Sequence, residues 1–306
     1  MQNTFLKRMR KDMARNWTAY LLVLPVIAYF IIFHYKPMYG VIIAFKKFSI
    51  RKGIMGSAWV GFKHFEDFFS SYYFWRLLRN TLSISVYSLI FAFPVPIIFA
   101  LLLNEVQNLK YKKTIQTISY MPHFISLVVI CSLVRLFTAH NGLLVSFFSW
   151  FGYDARYDML TQANLFAPIY IGSGIWQNTG WDCIIYLSAL AGIDSELYEA
   201  ARIDGANRWK QTLHVTLPGI LGTVILLLIL RIGSLMSVGY EKIILLYNEG
   251  IYETADVISS YVYRRGLIEG DYSYSTAIGL FNSVINVILV VTANTISSRV
   301  SGLGLF

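Results

Sequence analysis

The sequence predicts an all-α membrane protein that crosses the bilayer about six times. Hydrophobic residues make up 56% of its 306 residues and charged residues only 14%. The mean hydropathy is +0.54, far above the usual balance of soluble domains. Apolar runs as long as a membrane-spanning helix recur along the whole chain. These observations place the protein in a bilayer.

Six apolar runs have about the 20 residues that a helix needs to cross roughly 30 Å of hydrocarbon. They cover residues 17–35, 82–103, 114–134, 165–191, 218–238 and 277–297. Pro94 and Pro96 fall in the second run and Pro122 in the third. In a helix bundle, neighbouring helices and hydroxyl side chains satisfy the carbonyls that proline leaves free. We therefore expect kinks at these prolines.

Basic residues predict the orientation. Residues 1–16 form a basic N-terminal segment, and positive charge at the start of a membrane protein favours the cytoplasm. An even number of spans returns the C-terminus to the same side. Residues 17–306 are then one transmembrane domain, with an extracellular loop at 36–81 and a cytoplasmic loop at 192–217. The N-terminal basic residues are Lys7, Arg8, Arg10, Lys11 and Arg15.

The loop at 36–81 argues partly against this orientation, because it is also rich in lysine and arginine. The rule weighs the first helix and short loops most, and the short loop that carries Lys110, Lys112 and Lys113 supports a cytoplasmic N-terminus. The basic residues of the long loop are Lys36, Lys46, Lys47, Arg51, Lys52, Lys63, Arg76 and Arg79.

The net charge and the absence of common catalytic motifs limit the classes of function that the protein can have. A net charge of +9 in such an apolar chain fits membrane topology and attraction to anionic lipid headgroups better than binding to nucleic acid. The sequence contains no GxxxxGK[ST] phosphate loop, no HExxH pair and no GxSxG elbow. We therefore expect no enzymatic activity, no metal site and no cofactor on this chain.

The stretch EAARIDGANRWKQTLHVTLP is a charged, helix-forming passage between two apolar runs. Asp194 or Ser195 can cap a first helix, and Gly205 can supply its left-handed C-terminal residue. Asn207 can cap a second helix that runs up to Pro218, at the start of the next span. The residues alone allow an amphipathic connector that rests on the membrane surface.

The order of residues in this stretch resembles the EAA loop of permease subunits of binding-protein-dependent ABC importers. The resemblance implies an ABC importer permease fold, in which this loop forms coupling helices against a separate cytoplasmic ATPase. ATP and Mg would then bind to that partner. The glutamate suits charge-assisted hydrogen bonds, the alanines allow close approach, and the glycine permits the turn. The matching residues are Glu199, Ala200, Ala201, Asp204, Gly205, Val215, Leu217 and Pro218.

Other segments extend the resemblance over nearly the whole chain. YKPMYGVIIAFKKF, WVGFKHFEDFF, PVPIIFALLLNEV, QTISYMPHFIS and SGLGLF are similar to the carbohydrate-importing, maltose-type branch. The resemblance implies a permease of the bacterial cell membrane that imports a sugar of the oligosaccharide class by alternating access. Its implied partners are a second homologous permease, two ATPase subunits and an extracellular solute-binding lipoprotein.

The fourth apolar run contains candidates for the substrate path. Sugars offer hydroxyls and flat apolar faces, so a sugar path needs aromatic platforms beside amides and carboxylates. Helical spacing places Gly174, Asn178, Trp181 and Asp182 on one stripe. By resemblance to the maltose-type importer, Trp176, Gln177, Asn178 and Trp181 match positions that line its sugar site. The alternative is that these aromatic residues face lipid or pack in the core.

Asp182 and Arg231 fall inside predicted spans, where an unpaired charge costs at least a few kcal/mol. With a rise of 1.5 Å per residue, they stand about 13 Å and about 20 Å from the cytoplasmic ends of their helices. They either pair, or both line a water-filled sugar path. Alternatively, Arg231 reaches the outer headgroups and Asp182 hydrogen-bonds to a neighbouring helix.

Other functions remain open for the whole chain. Charges inside the membrane would suit an ion-coupled secondary carrier, although that leaves the EAA loop unexplained. Two further alternatives are a permease of the same superfamily that carries a solute other than a sugar, and a membrane scaffold.

Overall fold

The computed structural model describes residues 11–154 and 156–305, so Lys7, Arg8 and Arg10 lie outside the described residues. The predicted all-α class is confirmed. Within the described ranges the strands are β1 (Lys46–Lys47) and β2 (Ala58–Trp59), which pair antiparallel with Lys46 opposite Trp59.

The α-helices follow one another in chain order, several joined directly by short 3₁₀ or π segments. They are α1 (Trp17–Phe30), α2 (Lys36–Met38), α3 (Gly53–Gly56), α4 (Lys63–Phe69), α5 (Tyr73–Ala92), α6 (Pro94–Glu105), α7 (Leu109–Tyr120), α8 (Leu127–Thr138), α9 (Leu143–Ser149), α10 (Phe166–Ala191), α11 (Ser195–Ile203), α12 (Arg208–Gln211), α13 (Leu217–Gly233), α14 (Tyr240–Leu246), α15 (Tyr252–Ala255), α16 (Ile258–Tyr263) and α17 (Tyr272–Ser301).

Five helical stretches in the described ranges are long and apolar enough to cross a membrane. They are Trp17–Phe45, Tyr73–Glu105, Leu127–Ser149, Arg208–Gly233 and Tyr272–Ser301. Helix α10 contains 26 residues and therefore extends about 39 Å, which is enough to span the bilayer. Its polar residues, Gln177, Asn178 and Asp182 among them, make it less apolar than the other five. Six crossings are consistent with the prediction.

The second spanning stretch begins earlier than the run at 82–103. Helix α5 already starts at Tyr73, because its first turns carry arginine and aromatic residues that suit the headgroup level but hide the helix from a search for apolar runs. Helix α5 ends at Ala92 and α6 begins at Pro94, but Phe93 between them keeps helical angles of φ −68° and ψ −42°. Helices α5 and α6 therefore form one crossing.

The third predicted run, 114–134, is broken rather than kinked. Helix α7 ends at Tyr120, Met121–Phe124 form a 3₁₀ turn around Pro122, and α8 begins at Leu127. Proline removes a backbone donor and clashes with the preceding turn. The hydroxyl of Ser126 accepts a hydrogen bond from the Val129 amide and caps α8. The prediction of a single kinked helix was wrong in this respect.

Contacts between distant segments define the two ends of the helix bundle. At one end, Arg208 at the start of α12 lies 3.5 Å from the Glu105 carboxylate at the end of α6. We call this the hairpin end. At the other end, the Ser273 hydroxyl donates to the Lys46 carbonyl at 2.7 Å, beside the two strands. We call this the strand end.

Two apolar clusters pack at different depths along the same helices. Towards the strand end, Ile84, Ile130 and Phe166 are buried together. Towards the hairpin end, Ala100 and Tyr186 belong to a separate buried cluster. The middles of α5–α6 and α10 lie between these clusters and are free to line a cavity.

Candidate transport cavity and coupling hairpin

A polar cavity of about 490 Å³ lies between the two apolar clusters. Helices α5, α6, α10 and α13 and the short helix α14 contribute to its wall, so residues far apart in the chain converge on one space. The residues with polar side chains that line it are Ser88, Tyr170, Gln177, Asn178, Thr179, Asp182, Arg231 and Lys242.

Several of these groups are free to meet a ligand. Within the described ranges, the Gln177 amide, the Asp182 carboxylate and the Arg231 guanidinium form no hydrogen bond to the protein. Asn178 is engaged instead: its Oδ1 lies 3.1 Å from Nδ1 of His123, and its Nδ2 donates to the Gly174 carbonyl at 3.1 Å. The cavity thus offers an amide, an acid and a cation, the groups that suit sugar hydroxyls.

Asp182 and Arg231 share this cavity and a neighbouring one of about 310 Å³. No ion pair joins them in the part of the chain that the structure describes. The structure therefore places both charged side chains on the wall of one cavity, without a direct pair between them. Their role in transport stays a prediction.

Lys242 is a cavity residue that the sequence reasoning missed. Its residue surface is only 8% exposed. Its Nζ donates to the Tyr170 carbonyl at 2.8 Å and lies 4.8 Å from the centre of the Tyr170 ring. A single lysine in the apolar stretch YEKIILLY was the available signal, because such a charge requires a partner or a wet cavity.

The two tryptophans proposed as sugar platforms lie away from the polar cavity. Trp176 lines a separate, mostly apolar cavity of about 770 Å³. Trp181 stacks on His123 with a centroid distance of 4.6 Å and an interplanar angle of 2°. The structure brings Gln177, Asn178, Asp182 and Arg231 together and leaves these two rings outside.

The stretch 195–218 forms the expected helical hairpin. The Asp194 carboxylate accepts a hydrogen bond from the Glu196 amide and caps α11. Gly205 has a φ of +75°, in the left-handed region that favours glycine. The Asn207 side chain accepts from the Lys210 amide and caps α12.

The hairpin is fixed to the bundle on one side and open on the other. The hydroxyls of Tyr198 and Thr216 lie 3.0 Å apart and join α11 to the base of α13. On the open side, the motif residues Glu199, Ala200, Asp204 and Gly205 are exposed. Three large apolar side chains of the same hairpin are also exposed: Leu197, Ile203 and Trp209. Ala201 and Leu217 are half-buried and Pro218 is exposed. Apolar groups rimmed by charges are typical of a protein-binding surface.

The helix count, the polar cavity and the exposed hairpin define a multi-pass membrane transport subunit. Residues 68–302 match the family model described as "Binding-protein-dependent transport system inner membrane component". The chain belongs to this family of membrane-spanning permease subunits, which do not themselves hydrolyse ATP.

Individual relatives cover almost the whole chain. Protein LplB of Bacillus subtilis (strain 168) is 46% identical over 95% of this chain and 92% of its own length. The polygalacturonan/rhamnogalacturonan transport system permease protein YteP of the same organism is 42% identical, covering 98% of this chain and 94% of its own.

A solved structure shares the fold. It is a chain of a bacterial alginate ABC transporter in complex with an alginate pentasaccharide-bound periplasmic protein. Its TM-score is 0.88 at 45% identity, and the match covers 97% of this chain and 100% of that one.

Proposed function

We propose that this chain is the permease subunit of an ATP-driven importer that passes an oligosaccharide from an extracellular solute-binding protein into a bacterial cell by alternating access. One observation carries the proposal. The helical stretch Arg208–Gly233 is continuous for 26 residues, from the exposed hairpin to Arg231 in the polar cavity. A displacement of the hairpin can therefore reach the cavity along one continuous helical stretch.

The relatives support the substrate class. One is a permease of a polygalacturonan/rhamnogalacturonan transport system, and another belongs to an alginate transporter seen with a pentasaccharide-bound periplasmic protein. A cavity of about 490 Å³ with uncommitted amide, acid and cation groups suits part of a hydroxyl-rich chain.

The exposed hairpin and the strand end are the two surfaces to which we assign partners. The exposed hairpin residues, Glu199 and Asp204 among them, would meet one of two cytoplasmic ATPase subunits that bind ATP and Mg. A second homologous permease would complete the path, and a solute-binding lipoprotein would deliver the sugar at the strand end. This orientation puts the hairpin end and both termini in the cytoplasm of a bacterial cell, with the spans in the lipids of its plasma membrane.

Uptake energetics test the proposal. In cells that express the whole transporter, oligosaccharide uptake should stop when ATP is depleted and persist when an uncoupler collapses the ion gradient. Uptake that stops with the uncoupler alone would indicate an ion-coupled carrier. If no uptake depends on this chain, and no ATPase purifies with it, the chain is a scaffold. Transport of a different solute under the same conditions would refute only the sugar assignment.

A further inference from the structure

Lys242 is a buried cation without an acidic partner. Its Nζ has one hydrogen bond, to the Tyr170 carbonyl at 2.8 Å, and within the described ranges it forms no ion pair. An ammonium carries three donors, so two remain for the cavity. A buried charge that is not paired is strongly disfavoured. A ligand that brings a negative charge would remove this imbalance.

The backbone of α10 at Tyr170 and Gly174 lies next to the Lys242 ammonium. Tyr170 and Gly174 lie one turn apart on α10, and Lys242 approaches both from α14. A Cβ atom added at Gly174 would stand 3.3 Å from Nζ, so glycine leaves the ammonium room at the cavity wall. The centre of the Tyr170 ring lies 4.8 Å from Nζ and provides a cation–π contact.

The charges of the cavity wall favour an anion. The basic and acidic side chains in the wall are those of Arg231, Lys242 and Asp182, two cations and one acid. Asp182 can balance only one of the cations. Lys242 is also nearer the strand end, since Tyr170 belongs to the second turn of α10 and Asp182 lies three turns further along.

We infer that Lys242 recognises a carboxylate on the sugar, so that the transported oligosaccharide is an acidic one that contains uronic acid residues. The inference rests on the proposed function, because it assigns the substrate class of the same cavity. Lys242 binds the carboxylate near the strand end, where substrate would arrive. Gln177 and Asp182 remain available for hydroxyls of the same sugar chain.

Binding to the solubilised, assembled transporter without its solute-binding protein tests Lys242 directly. The probes are trigalacturonate, trimannuronate and the same trisaccharides with their carboxylates reduced to alcohols, followed by saturation-transfer NMR. The wild type should bind at least one acid about tenfold or more tightly than its reduced form, since hydrogen bonds to charged groups are the stronger ones.

Three variants complete the test. Lys242→Met should abolish the preference for the acid and change binding of the reduced sugar less than about twofold, whereas Lys242→Arg should keep the preference. Lys52→Met, an exposed lysine outside the cavity, is the matched control and should behave as wild type. Co-purification with the partner subunits shows that each variant is assembled.

Other outcomes overturn the inference. These are equal binding of acid and reduced sugar by the wild type, binding of neither, or a preference that survives in Lys242→Met. If Lys242→Met does not assemble, loss of the preference in Lys242→Arg would contradict the inference equally. Uptake separates the two proposals: a wild type that binds the acid but transports no oligosaccharide refutes the proposed function and leaves the recognition by Lys242 standing.

Discussion

Asp182 and Arg231 illustrate how residues that line a cavity differ from those of a core. A core would bury such charges as a pair, but here they line one cavity and no ion pair joins them in the described ranges. Unpaired charges at this depth are tolerated only beside water or a ligand. Both side chains are exposed to the cavity rather than packed, which keeps them available to a passing substrate.

Neutralising either charge should slow transport. We expect Asp182→Asn and Arg231→Gln each to lower oligosaccharide uptake by about tenfold, because each removes a charge-assisted contact to the sugar. If the two charges act on the same sugar unit, the double variant should lose less than the product of the single losses. Uptake is measured at matched membrane levels. Wild-type transport in both single variants would eliminate their functional role.

At the scale of the element, the hairpin depends on one backbone conformation. Gly205 joins α11 to α12 with a φ of +75°. Proline is restricted to a φ near −65°, so Gly205→Pro is incompatible with the turn and should separate the exposed surfaces of the two helices. The variant should still insert into the membrane but lose ATP-driven uptake. Insertion is checked by membrane fractionation, and normal uptake would refute the coupling role of the hairpin.

Glu199→Lys tests the same surface without disturbing the backbone. Glu199 is exposed in the middle of α11, so the reversed charge should meet the partner rather than this chain. We expect uptake to be abolished while the transporter is still found in the membrane. Glu196→Lys, one turn earlier and also exposed, is the control and should keep most of the uptake. Equal effects at both positions would argue against a specific role of the motif.

Helix α10 packs against the last turn of α7 through a glycine. A Cβ atom at Gly180 would overlap the backbone of Ser119 and Tyr120, and backbone cannot move aside as a flexible side chain can. Gly180→Ala should therefore destabilise the protein by about 1–3 kcal/mol. Gly172→Ala in the same helix meets nothing within 4 Å and should be neutral or slightly stabilising. Thermal unfolding in detergent compares the two; an equal Tm would contradict this packing.

Patterns within one segment were predictable, and contacts between segments were not. The run at 165–191 matches α10 (Phe166–Ala191) within one residue, because helix length and apolar composition are local properties. The caps of the hairpin were predictable for the same reason. The break after Tyr120 was underestimated, since a proline in a bundle can either bend a helix or end it.

The composition of the cavity depends on the tertiary fold. Helical spacing placed Asn178 and Asp182 on one stripe, and both line the cavity. Spacing alone could not show that Trp181 stacks on His123 instead. Nor could it show that α14 brings Lys242 to the same wall, because that requires the packing of a segment that follows the spanning stretch Arg208–Gly233.

At the scale of the whole molecule, a buried ion network fixes the strand end. Asp256 is fully buried, with its carboxylate 2.6 Å from Arg264 and 3.7 Å from Arg76 of α5. The Ser260 hydroxyl donates to the same carboxylate at 2.7 Å. Asn80 of α5 donates to the Asp256 carbonyl at 3.0 Å. The segment between the last two spans is thus tied to the second span, while the hairpin at the other end is exposed.

Asp256→Asn tests this network. The asparagine keeps the size of the side chain but removes the charge that balances Arg76 and Arg264, both about four-fifths buried. Breaking a buried ion pair from one side costs about 3–5 kcal/mol, so the Tm of the assembled transporter should fall clearly.

The control is Asp154→Asn, which removes an exposed pair with Arg156 at 2.7 Å and should leave the Tm unchanged, because solvent screens exposed pairs. Equal Tm values for the two variants would mean that the strand end is held together by its apolar contacts instead. A lower Tm for Asp256→Asn, with uptake retained below that temperature, would assign the network to stability and leave substrate movement to the cavity and the hairpin.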